Sequence, residues 1–151
     1  MTAPTVHASA VLFGPRGILI RGPSGAGKSA LALSLLQAAG DAFACLIGDD
    51  RIHLEAVHGR LLMRPATALQ GLIEIRGVGI ARVPFEPVAV AHVVVDLQTG
   101  DSVRLPDPGD LTTVIEGVRL ARLPVAPGPP SHARLLAFLR HGEDVASLQN
   151  T

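Results

Sequence analysis

Between residues 22 and 29 the chain reads Gly22-Pro23-Ser24-Gly25-Ala26-Gly27-Lys28-Ser29. This spacing of glycines, lysine and serine is that of a phosphate-binding loop, or P-loop. A short apolar strand is predicted directly before it, at 18–20, and a run of good helix formers follows at 28–39. The glycines let backbone N–H groups line an anion nest, and the helix N-terminus adds its dipole. We therefore predict phosphate binding here, with Lys28 contacting phosphate oxygens and Ser29 supplying a hydroxyl to Mg²⁺.

The composition supports this interpretation of the loop. Of 13 cationic side chains, 12 are arginine, and the only lysine is Lys28. A flexible ammonium group reaches phosphate oxygens in a way that the bulkier, planar guanidinium does not reproduce. The position of the one lysine is therefore independent support for the motif.

Length and charge limit the other possibilities. With 151 residues, 48% of them hydrophobic and only 3% aromatic, we expect a single domain over 1–151 with an aliphatic core. The formal net charge is zero, so no basic field favours nucleic acid. The longest apolar stretch, 88–95, is too short to span a bilayer, and the N-terminus has no signal-peptide pattern. The single cysteine fits a reducing compartment, so we expect a cytoplasmic protein without nucleic-acid or membrane partners.

Beyond the P-loop helix the pattern is mostly β. Strands are predicted at 11–13, 43–48, 72–83 (around a glycine break at 77–79), 88–97, 103–105, 114–115 and 118–123. A hairpin is predicted from 52–57 and 60–63 around His58-Gly59. A Pro-rich connection at 126–130 precedes a last helix at about 131–141. We expect an α/β protein that is mostly β-sheet around one phosphate-binding helix.

Two acids close the apolar strand that follows the helix. In P-loop proteins an acid in the place of Asp49 or Asp50 holds Mg²⁺ or its water. Strand side chains alternate, so one acid can face the metal and the other an acceptor hydroxyl as general base. A polar turn without function is the alternative. We expect His7 to open the first strand, and it gains a role only if the sheet brings it beside Asp49.

A third cluster surrounds Glu74 and Arg76. The two residues are two positions apart, so on one strand they would share a face and could bind Mg²⁺ and phosphate. A cross-strand ion pair of little energetic consequence is an equally good explanation of this spacing. The residues alone do not decide between the two.

Taken together, these stretches resemble the C-terminal catalytic domain of the HPr kinase/phosphorylase family. The matching residues are the P-loop, Leu46-Ile47-Gly48-Asp49-Asp50-Arg51, and above all Gly71-Leu72-Ile73-Glu74-Ile75-Arg76-Gly77-Val78-Gly79-Ile80. The resemblance covers about residues 5 to 105. It implies the phosphoenolpyruvate carboxykinase-like type of P-loop fold, with ATP and Mg²⁺ used to phosphorylate a serine of the phosphocarrier protein HPr. It also implies the reverse reaction, in which inorganic phosphate takes the phosphoryl group and pyrophosphate is released.

The resemblance also implies roles for individual residues. Asp49 would be the base of the kinase direction and the acid of the reverse, assisted by His7. Asp50 and Glu74 would serve Mg²⁺ and its surroundings. Arg76 and Arg104 would contact phosphate or partner, and Arg104 matches an arginine used in the reverse reaction.

The chain also departs from the family pattern. Pro23 and Ala30 stand where the family usually has acids, and longer members carry an N-terminal domain and more C-terminal helix, which helps to dock HPr and build a hexamer. The chain looks like a short single-domain member, for which a homo-oligomer is left open. Two alternatives remain: a nucleotide-sensing module without transfer activity, and a small-molecule P-loop kinase.

Overall fold

The computed structural model describes residues 4–39, 43–97, 108–126, 128 and 131–140. Strands dominate this part of the chain. They are β1 (Thr5–His7), β2 (Ser9–Phe13), β3 (Arg16–Arg21), β4 (Ala44–Gly48), β5 (Arg51–Val57), β6 (Arg60–Pro65), β7 (Leu72–Ile75), β8 (Gly79–Arg82), β9 (Ala89–Leu97), β10 (Thr112–Ile115) and β11 (Val118–Val125). Helix α1 spans Lys28–Ala38, helix α2 spans 131–140, and 3-10 helices span Thr67–Leu69 and Pro108–Leu111.

Strand β9 organises the main sheet. The sheet has nine strands, in the order β1-β5-β6-β9-β3-β2-β4, and β11 pairs with β9 and β10 beside this path. β9 runs parallel to β3, with Ile18 opposite Val93, and parallel to β11, with Leu123 opposite Val95. A strand paired on both sides and covered on both faces requires a continuous apolar sequence. The prediction of a long strand at 88–97 is confirmed.

Two hairpins form where turn residues predict them. β2 and β3 pair antiparallel across Gly14-Pro15, and β5 and β6 pair across His58-Gly59. His58 and Gly59 have φ of 50° and 78°, which is the left-handed pair that a two-residue type I′ turn requires. The predicted hairpin of 52–57 and 60–63 is therefore confirmed, as are the extended segments around the 77–79 break, which form a separate β7–β8 pair.

The sheet separates two aliphatic cores because strand side chains alternate. On one face, Ile18, Ile20 and Val95 pack with the buried residues of α1 and α2. On the other face, Leu19 and Val94 pack with Ile47, Ile52, Leu61 and Met63. The predicted aliphatic core is thus formed on both sides of β3 and β9.

Two sequence-based expectations need revision, and several others fall on residues outside those that the structure describes. His7 does not open β2: it ends the separate strand β1, which pairs with β5. Arg76 does not share a strand face with Glu74, because β7 ends at Ile75 and Arg76 lies in the following turn. Arg104, the predicted strand at 103–105, most of the Pro-rich connection and residue 141 lie outside the described residues. The last helix is confirmed at 131–140.

Candidate active site

The phosphate loop joins the end of β3 to the start of α1. Gly25 and Gly27 have φ of 81° and 97°, a conformation that residues with a side chain rarely adopt. Gly27 occupies the cap position of α1, no side chain caps the helix, and the first helical bond runs from Leu31 N–H to the Gly27 carbonyl. The N-terminal N–H groups of α1 are therefore available to an anion at this end of the helix.

Lys28 stabilises the loop through hydrogen bonds to its backbone. Its ammonium group donates to the carbonyls of Gly22 and Pro23 at 2.7 and 3.0 Å, and the residue is buried. Burial lowers the pKa of Lys28, although the charges of Asp49 and Asp50 oppose that shift. Both carboxylates thus act on the lysine electrostatically, which places the cation and the two acids in one site.

Asp49 is the best-connected side chain of the site. Its carboxylate accepts hydrogen bonds from the hydroxyl of Ser9 at 2.5 Å, from that of Ser29 at 2.8 Å, and from the backbone N–H of Glu74 at 3.1 Å. Asp49 is buried, and its three donors come from β2, α1 and β7. Its orientation is therefore set by three different elements of the fold.

The Ser29 hydroxyl and the Asp49 carboxylate fit the chemistry of Mg²⁺. Mg²⁺ prefers oxygen ligands and is usually held by one or two protein groups together with waters and substrate phosphates. Within the described ranges, no group of three or more His, Cys, Asp and Glu side chains could form an all-protein metal cage. The serine and the acid beside a phosphate loop suit a cation that arrives with a nucleotide.

Asp50 and His7 form a second pair beside Asp49. His7 Nε2 lies 3.0 Å from Asp50 Oδ1, and both side chains are partly exposed. Asp50 adopts a left-handed φ of 73° at the β4–β5 junction, so its side chain leaves the strand alternation. The acid that His7 contacts is therefore Asp50, next in the chain to Asp49, the acid considered for it from the sequence.

Most of the predicted site residues that the structure describes line one cavity of about 800 Å³. Its lining includes His7, Ser9, Ser24, Gly25, Gly27, Lys28, Ser29, Asp49, Asp50, Glu74 and Arg76. Glu74 and Arg76 thus reach the same cavity even though only Glu74 lies on β7. Among the predicted P-loop residues, Gly22 and Pro23 contribute through their carbonyl contacts with Lys28, and Ala26 lies on a second cavity.

Two features of the site were not expected from the sequence. Ser9 is fully enclosed and bonds Asp49, but no local pattern distinguishes it from an ordinary strand serine. Asp96, at the end of β9, accepts both Nε and the terminal nitrogen of Arg21 at 2.8 Å and also accepts from Arg122. Asp96 thus links β9 to β3 and β11, and its partner Arg21 is the residue directly before the phosphate loop. An acid that ends a strongly apolar run was the available signal for Asp96.

Comparisons with known proteins identify the family and the fold. The family model described as the HPr serine kinase C-terminal domain matches residues 2–86, more than half of the chain. The chain belongs to this family. A solved structure of the Hpr(Ser) kinase/phosphatase from Coxiella burnetii is similar over 95% of this chain and 98% of that one, with a TM-score of 0.76 and 23% identity. At that identity the likeness establishes the fold, which is the predicted α/β P-loop type.

Curated relatives share the sequence more closely over shorter parts. The HPr kinase/phosphorylase of Mycoplasma mycoides is 43% identical over 81 residues, which are 52% of this chain and 24% of the relative. That of Limosilactobacillus reuteri is 33% identical over 147 residues, which are 89% of this chain and 43% of the relative. The chain thus spans less than half the length of these relatives. In the described part of the chain, no helix has both the length and the apolarity to cross a membrane.

Proposed function

We propose that this protein is an ATP- and Mg²⁺-dependent protein-serine kinase that acts on an HPr-type phosphocarrier protein in the regulation of carbon metabolism. We further propose the reverse phosphorolysis, in which inorganic phosphate takes the phosphoryl group from the phosphoserine and pyrophosphate is released. The observation that carries the proposal is the contact between Ser29 of the phosphate loop and Asp49, with the Asp50–His7 pair beside it. Family membership supports the same reaction class.

The loop residues and Lys28 would hold the triphosphate by N–H groups and by charge. Mg²⁺, when bound, would neutralise charge that develops on the β- and γ-phosphates. The Ser29 hydroxyl would bind the cation directly. Asp50 or Asp49 would bind the cation or one of its water ligands, and Glu74 would lie close to it. Arg76, which lines both cavities next to the loop, would contact phosphate oxygens. Positioning and charge neutralisation would supply most of the rate enhancement.

The chemical step needs one base. The serine Oγ of the acceptor would attack the γ-phosphorus, its proton would pass to a carboxylate, and the bond from the γ-phosphorus to the bridging oxygen would break with release of ADP. We propose Asp49 for this role, with the Asp50–His7 pair stabilising the charge beside it. In the reverse direction Asp49 would return the proton to the serine as phosphate attacks. Arg104 would assist that direction.

The contacts also allow the roles of Asp49 and Asp50 to be exchanged. Asp49 bonds the Mg²⁺-binding hydroxyl of Ser29, whereas Asp50 is the more exposed acid and pairs with His7. In this second arrangement Asp49 would serve the cation and Asp50 would take the proton. Variants of the two acids distinguish the arrangements, as discussed below.

The acceptor would be a protein surface, because the rim of the acid-lined cavity is open and partly apolar. Val78 and Ile80 of the β7–β8 hairpin are 81% and 73% exposed, and Ile80 lines the cavity. The protein would act in the cytoplasm, where its nucleotide and phosphocarrier are found. A homo-oligomer is compatible with this proposal and is not required by it.

The direct experiment uses ATP, Mg²⁺ and the HPr of the same organism, with detection of phosphoserine by mass spectrometry. We expect one phosphoryl group per HPr and none on an HPr variant that lacks the modified serine. ATP binding without transfer would contradict the kinase proposal and favour a nucleotide sensor. Transfer to a small hydroxyl compound instead of HPr would favour a small-molecule kinase.

A further inference from the structure

A second cavity, of about 700 Å³, adjoins the phosphate loop. It shares Gly25, Gly27, Ala30, Ser34 and Arg76 with the acid-lined cavity, so the two are continuous along the loop and the first turns of α1. None of the carboxylates of the first cavity lines the second one. Its remaining walls come from Ala26 of the loop, the end of β9, Gly128 and α2.

The chemistry of this second cavity differs from that of the first. Leu97, Ala133 and Leu136 give it apolar walls. On one wall, His132 Nδ1 lies 3.1 Å from the hydroxyl of Ser34, within hydrogen-bond distance. Burial lowers the pKa of His132 and so favours the neutral ring, which can both donate and accept. Apolar walls with a few polar groups are typical of pockets that take a flat, uncharged organic group.

The direction of a bound nucleotide connects the two cavities. The γ-phosphate must lie beside Asp49 and Asp50 if it is to be transferred, and the phosphate chain must follow the N–H groups from Gly25 to Ser29. The α-phosphate end of the nucleotide then points away from the two acids. The second cavity opens from the loop on that side. Arg76 lies on both cavities, where it can follow the phosphates from one to the other.

We propose that the second cavity binds the nucleoside of the nucleotide, with the base against Ala133 and Leu136 and with His132 and Ser34 bonding its polar edge or the ribose. Helix α2 is then part of the nucleotide site. This inference rests on the proposed use of a nucleoside triphosphate. It extends that proposal by assigning residues to recognition of the part of the donor that does not react.

The test separates the nucleoside from the phosphates. Calorimetry measures the affinity of the protein for ATP and for inorganic tripolyphosphate, both with Mg²⁺, in the wild type and in Ala133→Phe, which fills the cavity from an exposed position on α2. Ala137→Phe, one turn further along α2, is exposed and does not line the cavity, so it is the matched control. Thermal melting of all three proteins monitors folding.

We expect Ala133→Phe to weaken ATP binding about tenfold or more, because the phenyl ring occupies the space of the nucleoside, and to leave tripolyphosphate binding unchanged. Ala137→Phe should alter neither affinity. His132→Ala should weaken ATP binding alone, by a smaller factor. Unchanged ATP affinity in Ala133→Phe, or equal loss for both ligands, would overturn the nucleoside site while leaving the phosphate loop intact as a proposal. Failure of the wild type to bind either compound would instead contradict the proposed function itself.

Discussion

The Ser9 hydroxyl donates a 2.5 Å hydrogen bond to Oδ1 of Asp49, the carboxylate that also accepts from Ser29 of the phosphate loop. Ser9 lies on β2 and is 1% exposed, at the wall of the acid-lined cavity. The acid is therefore held between a hydroxyl of the sheet and a hydroxyl of the loop. Ser9 is a positioning residue for Asp49.

Replacing Ser9 tests this relationship. In Ser9→Ala, Asp49 loses a donor worth about 1.5 kcal/mol, and we expect the transfer rate to HPr to fall roughly tenfold. The affinity for ATP should remain within about twofold, because the loop and Lys28 are unchanged. Ser9→Thr keeps the hydroxyl and should retain most of the rate. Equal losses in Ser9→Ala and Ser9→Thr would show that packing, and not the hydrogen bond, matters at this position.

Exchange of the only lysine tests the phosphate loop. Lys28 is buried and donates to two carbonyls of its own loop, a space that suits an ammonium group. Lys28→Arg keeps the charge but introduces a larger planar group, and we expect ATP binding to weaken about tenfold or more. Arg60→Lys, at an exposed position of β6, makes the reverse exchange and should have no effect. Wild-type affinity in Lys28→Arg would remove the argument from the lone lysine.

The ionised side chain of Asp96 should stabilise the fold in a pH-dependent way. Burial alone would raise the pKa of Asp96, but hydrogen bonds and charge from Arg21 and Arg122 outweigh it and lower the pKa below the ordinary value. A carboxyl group with a lowered folded pKa stabilises above the pKa of the unfolded chain, and this contribution disappears as the pH falls through the folded pKa. We expect Asp96→Asn to lower the free energy of unfolding by about 3 kcal/mol at neutral pH.

Denaturant titrations of the wild type and Asp96→Asn at several pH values measure this difference. It should be largest at neutral pH and should shrink as the pH drops below the ordinary range of an aspartate. Glu55→Gln is the control, because Glu55 pairs with Arg64 at 2.9 Å on the exposed surface and should cost at most about 0.5 kcal/mol. A difference between wild type and Asp96→Asn that is constant with pH would contradict the assigned role of the ionised carboxylate.

Local patterns predicted the parts of the fold that local chemistry determines. Gly14-Pro15 and His58-Gly59 specify hairpins, and the glycine spacing before Lys28 specifies the loop and the start of α1. The parallel pairing of β3 with β9 joins segments about 75 residues apart, and no local signal indicates it. The sheet order had to come from the structure for this reason.

The same distinction explains the site. Asp49, Asp50 and Lys28 were found because each lies at a recognisable end of a strand or loop. The partner of His7 was missed because β1 pairs with β5 and because Asp50 takes a left-handed conformation, so strand alternation no longer applies. Arg76 was placed on a strand that ends one residue earlier. Sequence periodicity does not predict contacts that depend on where a strand begins or ends.

The most direct test of the account compares Asp49→Asn with Asp50→Asn. The measurement is the initial rate of phosphoryl transfer from ATP to the HPr of the same organism, with the Mg²⁺-dependent affinity for ATP determined on the same samples. If Asp49 is the base, Asp49→Asn should lose at least about a hundredfold in rate while ATP still binds, whereas Asp50→Asn should weaken the Mg²⁺-dependent affinity for ATP and still transfer phosphate at saturating ATP and Mg²⁺. Wild-type transfer by Asp49→Asn would contradict this assignment. So would the reverse pattern, in which Asp49→Asn loses Mg²⁺-dependent ATP binding and Asp50→Asn loses only transfer.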